Sequence, residues 1–402
     1  MIRSRLALAL LAIAVAAIIA VTLSPGRSWN TPGLFACIVC GQRGFADIIL
    51  NVILFMPFGV LAALALGARP AVVIGAGLFS GLVELAQVGI SGRDASLGDL
   101  LFNTTGALVG LLLVGTARAW FRPARIVQRV AAIAFALLVP GLIVTTGRLV
   151  HLSFPQSTWF SMWNPDLRHL SKYSGSVLES RVGPIVLRPA EQLEPAARDS
   201  TLAALEAGQE IRVRAIAGTP PGGISALLAI YDDEAREILL IGPDQNDLVI
   251  RQRYISDELR LDRLDVRLHG ALDHISPDDT FEVAATRRAG EYCLSIDSRT
   301  TCGLGMHPAR GWTLLFGSDP LPQWFIVLVD VGWAATLAAL LGFYARDRLT
   351  MLLTAAAWAA AFIVVPALDP YVLPAPMAGL VAAIAGYLSS VALGPQLERT
   401  RA

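Results

Sequence analysis

The chain has 402 residues, 54% hydrophobic and 16% charged, and its 32 basic residues balance its 32 acidic ones to no net charge. That apolar share excludes an ordinary soluble protein of this length. The balanced charge gives no basic field, so nucleic acid is not an expected partner.

A bilayer core takes about 20 apolar residues per helix. In chain order the candidate spans are 6–23, 47–66, 71–90, 98–117, 130–150, 323–343, 350–368 and 375–394. Arg3 and Arg5 ahead of the first run also fit a signal peptide, but Val21-Thr-Leu-Ser-Pro25 is not a small-x-small cleavage site. Lys and Arg concentrate in cytoplasmic loops. An inside N-terminus puts Arg3, Arg5, Arg69, Arg118, Arg122, Arg125, Arg129, Arg346, Arg348, Arg399 and Arg401 inside, against Arg27, Arg43 and Arg93 in the short outer loops. The expected fold is therefore an α-helical polytopic protein of the plasma (inner) membrane with about eight spans. Both termini are cytoplasmic, and the polar middle third lies outside. Trp159, Trp163 and Trp324 flank that third and are expected as interfacial anchors.

All four cysteines then lie outside, where an oxidising compartment permits disulfides. Cys293 and Cys302 bracket two short strands and a turn, so a cross-strand bridge is expected. Cys37-x-x-Cys40 reads as a small loop staple. A redox pair is the alternative, but no thioredoxin-like pattern surrounds it, and the loop offers too few ligands for zinc.

From about residue 208 the period changes to that of strands. Gln209–Ile216 alternates, and Ile224–Tyr231, Arg236–Ile241, Asp247–Arg253, Leu264–Leu268, Thr280–Thr286, Glu291–Ile296 and Trp312–Gly317 follow, separated by turns such as Pro220-Pro-Gly-Gly223 and Ser276-Pro-Asp-Asp279. Many short strands at regular spacing predict an antiparallel β-sandwich. The order of Leu227–Asp233, Leu248–Arg253, Thr286–Asp297 and Trp312–Gly317 resembles laminin-G or concanavalin A-like jelly rolls. That resemblance implies a sandwich of a kind that often binds glycans, sometimes with calcium, and carries no ligand residue over. Asp232, Asp233, Asp244 and Asp247 have the chemistry for calcium, but acidic residues at turns are commonly turn formers. A spacer with no ligand is the other reading. Within 151–208, Val182–Arg188 suggests an early strand and Ala196–Ala207 a short helix or linker.

The domains expected are thus 1–150 with five spans, an extracytoplasmic sandwich over 151–321, and 322–402 with three spans. Ionisable residues inside a membrane cost about 2.5–3.5 kcal/mol at a helix centre and so point to function. Asp47, Asn51, Phe55 and Gly59 follow one face of the second span. Ser80, Glu84 and Gln87 do so on the third, and Asp99, Asn103, Gly106 and Gly110 on the fourth. Arg93 lies in the short turn between the last two, where Glu84 and Arg93 are expected to approach Asp99. Asn103-Thr-Thr105 has the glycosylation pattern, but inside a span it is no acceptor. The five His residues form no cluster at ligand spacing, and no metal or cofactor is expected.

Asp47-x-x-x-Asn51, Phe55-x-Pro57-x-Gly59, Glu84-x-x-Gln87, Gly92-Arg93, Asp99, Asn103 and Gly106 resemble the pattern of VanZ-like membrane proteins over about 45–117. Members often carry an aromatic two residues after the Arg, where this chain has Ala95. The resemblance implies a cell-envelope membrane protein and a link to resistance against glycopeptides of the teicoplanin type. The partners it implies are the lipid bilayer and an envelope glycan or lipid-linked precursor. In one reading Arg93 holds an anionic head group, while Glu84 or Asp99 positions it or moves a proton. In another, Glu84, Arg93 and Asp99 neutralise each other, and Asn51, Gln87 and Asn103 add interhelical hydrogen bonds. An enzyme acting on a lipid-linked wall substrate through Glu84, Arg93 and Asp99 is the third. No nucleophile, metal cluster or Gly-rich phosphate loop supports catalysis, so binding is expected ahead of turnover.

Overall fold

A computed structural model describes residues 2–24, 38–39, 41–90, 93, 95–167, 169–317 and 321–399. By packing they form two units. One holds Met1–Gln128, Leu259–Asp262 and Leu397–Ala402, and the other Arg129–Glu258 and Arg263–Gln396.

The first unit is built from helices α1 (Ile2–Thr22), α2 (Gly44–Leu66), α3 (Ala71–Gln87), α4 (Leu97–Gly115) and the short α5 (Ala117–Phe121). The tightest packing joins α2 to α4. A Cβ on Gly59 would run into the Ala107 carbonyl, and one on Gly106 into the carbonyl of Val52. Small residues thus let two backbones touch, as they do where lipid supplies no hydrophobic drive between helices. Phe55 is fully buried against Phe58 and Phe79, and this ring cluster joins α2 to α3.

The second unit takes most of α6 (Arg125–Leu149) and then the strands β1 (Trp159–Trp163), β2 (Ser176–Val182), β3 (Ile185–Leu187) and β4 (Glu191–Gln192). Helix α7 (Pro195–Glu206) precedes β5 (Ile211–Ile216), β6 (Leu228–Asp232), β7 (Glu237–Asp244) and β8 (Asp247–Gln252). The turn α8 (Ile255–Glu258) leads to β9 (Asp265–Leu268), β10 (Thr280–Arg288), β11 (Glu291–Ile296) and β12 (Arg299–Leu304). A 3₁₀ turn at Pro308–Leu314 is followed by α9 (Gln323–Phe343), α10 (Arg348–Ala359), a π-turn at Ala360–Val364, α11 (Val365–Leu368) and α12 (Met377–Arg399).

The strands make two six-stranded sheets, β4-β1-β6-β7-β8-β9 and β12-β11-β10-β5-β2-β3, and the pairs described are antiparallel. Their facing sides share one core. Ile230, Leu239 and Ile250 come from the first sheet, and Val213, Val283 and Leu294 from the second. This is the sandwich expected. Its hairpins are tight: Asp244 pairs with Asp247, Arg288 with Glu291 and Ile296 with Arg299, which leaves two-residue turns. Gln245, Ala289 and Asp297 take positive φ there, as turns matched to strand twist require.

Helices α6, α9, α10 and α12 pack around Val139, Ile143, Leu337, Leu341, Phe362 and Ala383. The boundary at residue 150 marks where an apolar helix gives way to strands, whereas by packing α6 groups with the sandwich and the last helices. Among the described residues six helices are long and apolar enough to cross a membrane: Arg5–Thr22, Gly44–Leu66, Leu97–Gly115, Arg125–Leu149, Gln323–Phe343 and Arg348–Leu368. Ala71–Gln87 and Met377–Leu393 are shorter apolar helices at the two remaining expected spans. The chain is a membrane protein, and lipid is its solvent over these helices.

Two expectations are corrected. Trp159 is fully buried in β1 and Trp163 packs against the sandwich core, so neither is an interfacial anchor. Trp324, at the start of α9, is 69% exposed as an anchor would be. Trp312–Gly317 is not a strand. Pro308 opens a helical turn there, and the Trp312 indole Nε1 donates to Asp330 Oδ1 at 2.7 Å. The run is apolar because the turn is buried, and a short apolar run does not distinguish strand from helix.

Candidate functional site

The polar set gathers around the first turn of α4. Ser96 is its N-cap, with Oγ accepting from the backbone N–H groups of Gly98 at 3.0 Å and Asp99 at 3.4 Å. Capping serines commonly pair with an acid three residues on, which reaches back to the cap's own N–H. Here Asp99 stands at that position, yet Glu84 of α3 takes the Ser96 N–H, through Oε2 at 2.8 Å. Asp99 is thereby released toward α2, where its Oδ1 accepts from Asn51 Nδ2 at 2.8 Å. One turn further along α4, Asn103 Nδ2 donates to Ser80 Oγ of α3 at 3.0 Å. The positive end of the α4 dipole favours the two carboxylates at this place.

Glu84 is 4% exposed, Gln87 5%, Asn103 2% and Ser80 0%, so these groups face protein and not lipid. Asp47 stands exposed in the first turn of α2, outside the hydrogen-bonded set. Gln87 Nε2 donates to the Thr22 carbonyl at 3.0 Å. Arg93 donates from Nε to the Ser24 carbonyl at 2.8 Å and from Nη2 to the Val21 carbonyl at 2.7 Å. Val21 is in the last turn of α1 and Ser24 lies just beyond it, a place that a cation suits. Among the described residues Arg93 makes no ion pair with Glu84 or Asp99. The structure thus joins Asn51, Glu84, Asp99 and Asn103 and turns Gln87 and Arg93 to α1. Cys37 and Cys40 lie outside the described residues.

Among the described residues two buried atoms on α3 and α4, Gln87 Oε1 and Asn103 Oδ1, have no hydrogen-bond partner. Gln87 stands one turn from Glu84 on α3 and Asn103 one turn from Asp99 on α4, which gives each helix face a surplus acceptor. Such acceptors suit hydroxyl, amine or water protons.

In the sandwich, the acids with calcium-compatible chemistry hold cations and amides of the protein itself. Asp232 takes Arg236, Asp244 takes Arg267, and Asp247 takes His269, Arg267 and the Gly270 N–H. Burial opposes ionisation of Asp247, but those donors hold its pKa down at about 2. Cys293 and Cys302 form the expected disulfide between β11 and β12.

Sequence reasoning missed two elements. Ser96 was legible from Ser96-x-x-Asp99, which matches an N-cap signal. Asp330 was legible as the lone acid in its span. It is 7% exposed and holds Arg310 at 3.2 Å and Trp312.

The fold and this buried polar set define an integral membrane protein with a helical N-terminal part that concentrates hydrogen-bonding groups, followed by a β-sandwich and further helices. Residues 8–118, roughly a quarter of the chain, match the family model VanZ-LLP1 (VanZ/LLP1), so this part is a VanZ-like domain. The match takes in α1 as well as the region of the motif residues, in keeping with the hydrogen bonds from Gln87 and Arg93 to α1. Neither the curated proteins nor the solved structures compared with the chain gave a match.

Proposed function

We propose that the α2–α3–α4 cluster is a binding site for the hydroxyl- or amine-bearing head group of a glycan-linked envelope lipid, in a VanZ-like protein of the cell envelope. The observation that carries this is the pair of buried acceptors without donors among the described residues, Gln87 Oε1 and Asn103 Oδ1, each one helical turn from a carboxylate on its own helix. The cluster's acceptor surplus favours such a ligand over a purely anionic one, and Arg93 directs Nε and Nη2 to backbone carbonyls of Ser24 and Val21. A link to teicoplanin-type resistance belongs to this reading and rests on the VanZ-like domain.

A structural reading has its own support, since Glu84 and Asn51 each lock one helix to α4. Glu84→Gln and Asp99→Asn separate the two while keeping side-chain size. Binding predicts that both variants insert at the level of the parent, lose retained lipid in native mass spectra, and lose any protection against teicoplanin. A pure lock predicts lower thermal stability with retention and phenotype unchanged, and that result would falsify the binding site.

A further inference from the structure

A second polar place lies in the other unit, where the sandwich meets the first turn of α9. It is a cavity of about 150 Å³. Arg263, Arg267 and His269 reach it from β9 and its flanks, and Arg310 and Thr313 from the 3₁₀ turn. Leu304 of β12 and Ile326 and Val327 of α9 close it with apolar surface. Drug-sized ligands occupy pockets of about 300–1,000 Å³, so this one suits a single head-group-sized moiety.

The wall is asymmetric in charge. Arg263 is held by Glu237 at 3.1 Å and Asp257 at 3.0 Å, Arg267 by Asp244 at 2.7 Å and Asp247 at 3.0 Å, and Arg310 by Asp330 at 3.2 Å. None of those five carboxylates lines the cavity. Among the described residues the only acid that does, Asp265, is engaged by both Nε and Nη2 of Arg251. Three arginines and a histidine therefore line the space, while the acids that hold the three guanidiniums do not. Arg310 contacts Asp330 through Nη2, and among the described residues its buried Nε has no hydrogen-bond partner. A planar guanidinium fork matches the geometry of phosphate oxygens. The apolar side is the start of a membrane-crossing helix, on which Val327 is 46% and Trp324 69% exposed.

We infer that this cavity binds a phosphate group, with a phospholipid head group as its source and the lipid's glycerol and acyl part lying along Ile326 and Val327. It shares no residue with the α2–α4 cluster, so the two assignments fail separately.

The test uses the delipidated full chain in detergent and three probes: dihexanoyl phosphatidylglycerol, dihexanoylglycerol without phosphate, and inorganic phosphate. Saturable binding of the phosphatidylglycerol, with none of the phosphate-free glyceride, is the expected result. Two variants should each weaken it by about tenfold or more. One is Arg310→Gln combined with Asp330→Asn, which leaves no buried carboxylate uncompensated. The other is Val327→Trp, which fills the apolar side from an exposed position. Inorganic phosphate binding as tightly as the lipid would keep the phosphate site and overturn the lipid source. Equal binding of the phosphate-free glyceride, or unchanged affinity in both variants, overturns the site.

Discussion

Glu84 shows how one residue's role depends on a neighbour in space. It takes the N–H that the acid at the third helical position commonly takes, and so turns a local cap into a tie between α3 and α4. Caps of this kind contribute about 1 kcal/mol, small beside the cost of leaving the groups buried and unpaired. His307 makes the pH argument at this scale. It is 6% exposed, and although its Nε2 lies 3.9 Å from Asp330, burial and the nearby Arg310 charge lower its pKa to about 3. The unfolded chain takes up this proton near pH 6.5 and the folded one near pH 3. Between those values the unfolded state binds more protons, so stability falls as pH falls, by up to about 1.4 kcal/mol per pH unit. Melting temperature followed from pH 7 to pH 4 should drop more steeply in the parent than in His307→Gln. Parallel curves would remove His307 from the account.

At the scale of elements, β10, β11 and β12 form a meander closed by two-residue turns, and the Cys293–Cys302 bridge ties its edge strand to β11. The edge is where a sheet most needs such a tie, because β12 is exposed along most of its length. A bridge over a loop this short contributes about 2–3 kcal/mol in the chain-entropy picture. Reduction, or Cys293→Ser with Cys302→Ser, should lower the melting temperature of the full chain, and both thiols should resist alkylation until reduced. A thiol that reacts at once in the unreduced protein contradicts the bridge. The helices carry a different economy of contact. The α2–α4 pair depends on Gly59 and Gly106, where any side chain would meet a backbone carbonyl of the partner.

For the whole molecule the open quantity is orientation, and the arginine distribution makes it testable. Reporter fusions after Arg122 and Asp347 should read cytoplasmic and one after Leu240 external, because the basic loops anchor the inside. An external signal after Arg122 or a cytoplasmic one after Leu240 reverses the scheme. The same orientation puts the sandwich in the compartment where its disulfide forms.

Helix positions were legible because lipid demands long apolar runs, and each of the runs read from 6–23 to 375–394 holds a helix. The strands from Gln209 onward were legible because a sheet with one wet face alternates, as β5 and β11 do. β1 was not, because its polarity does not follow its burial: Ser161 is fully buried on the same side as Trp159, while the apolar Phe160 and Met162 on the other side are only half-buried. The residues of the polar cluster were named by spacing along single helices. Which of them meet was decided by packing: Asn51 to Asp99, Glu84 to the Ser96 cap, and Arg93 to the end of α1. Periodicity fixes which face of one helix is polar, since it depends only on backbone geometry. Partners across helices depend on register and close approach between segments far apart in the chain, and only the tertiary structure sets those.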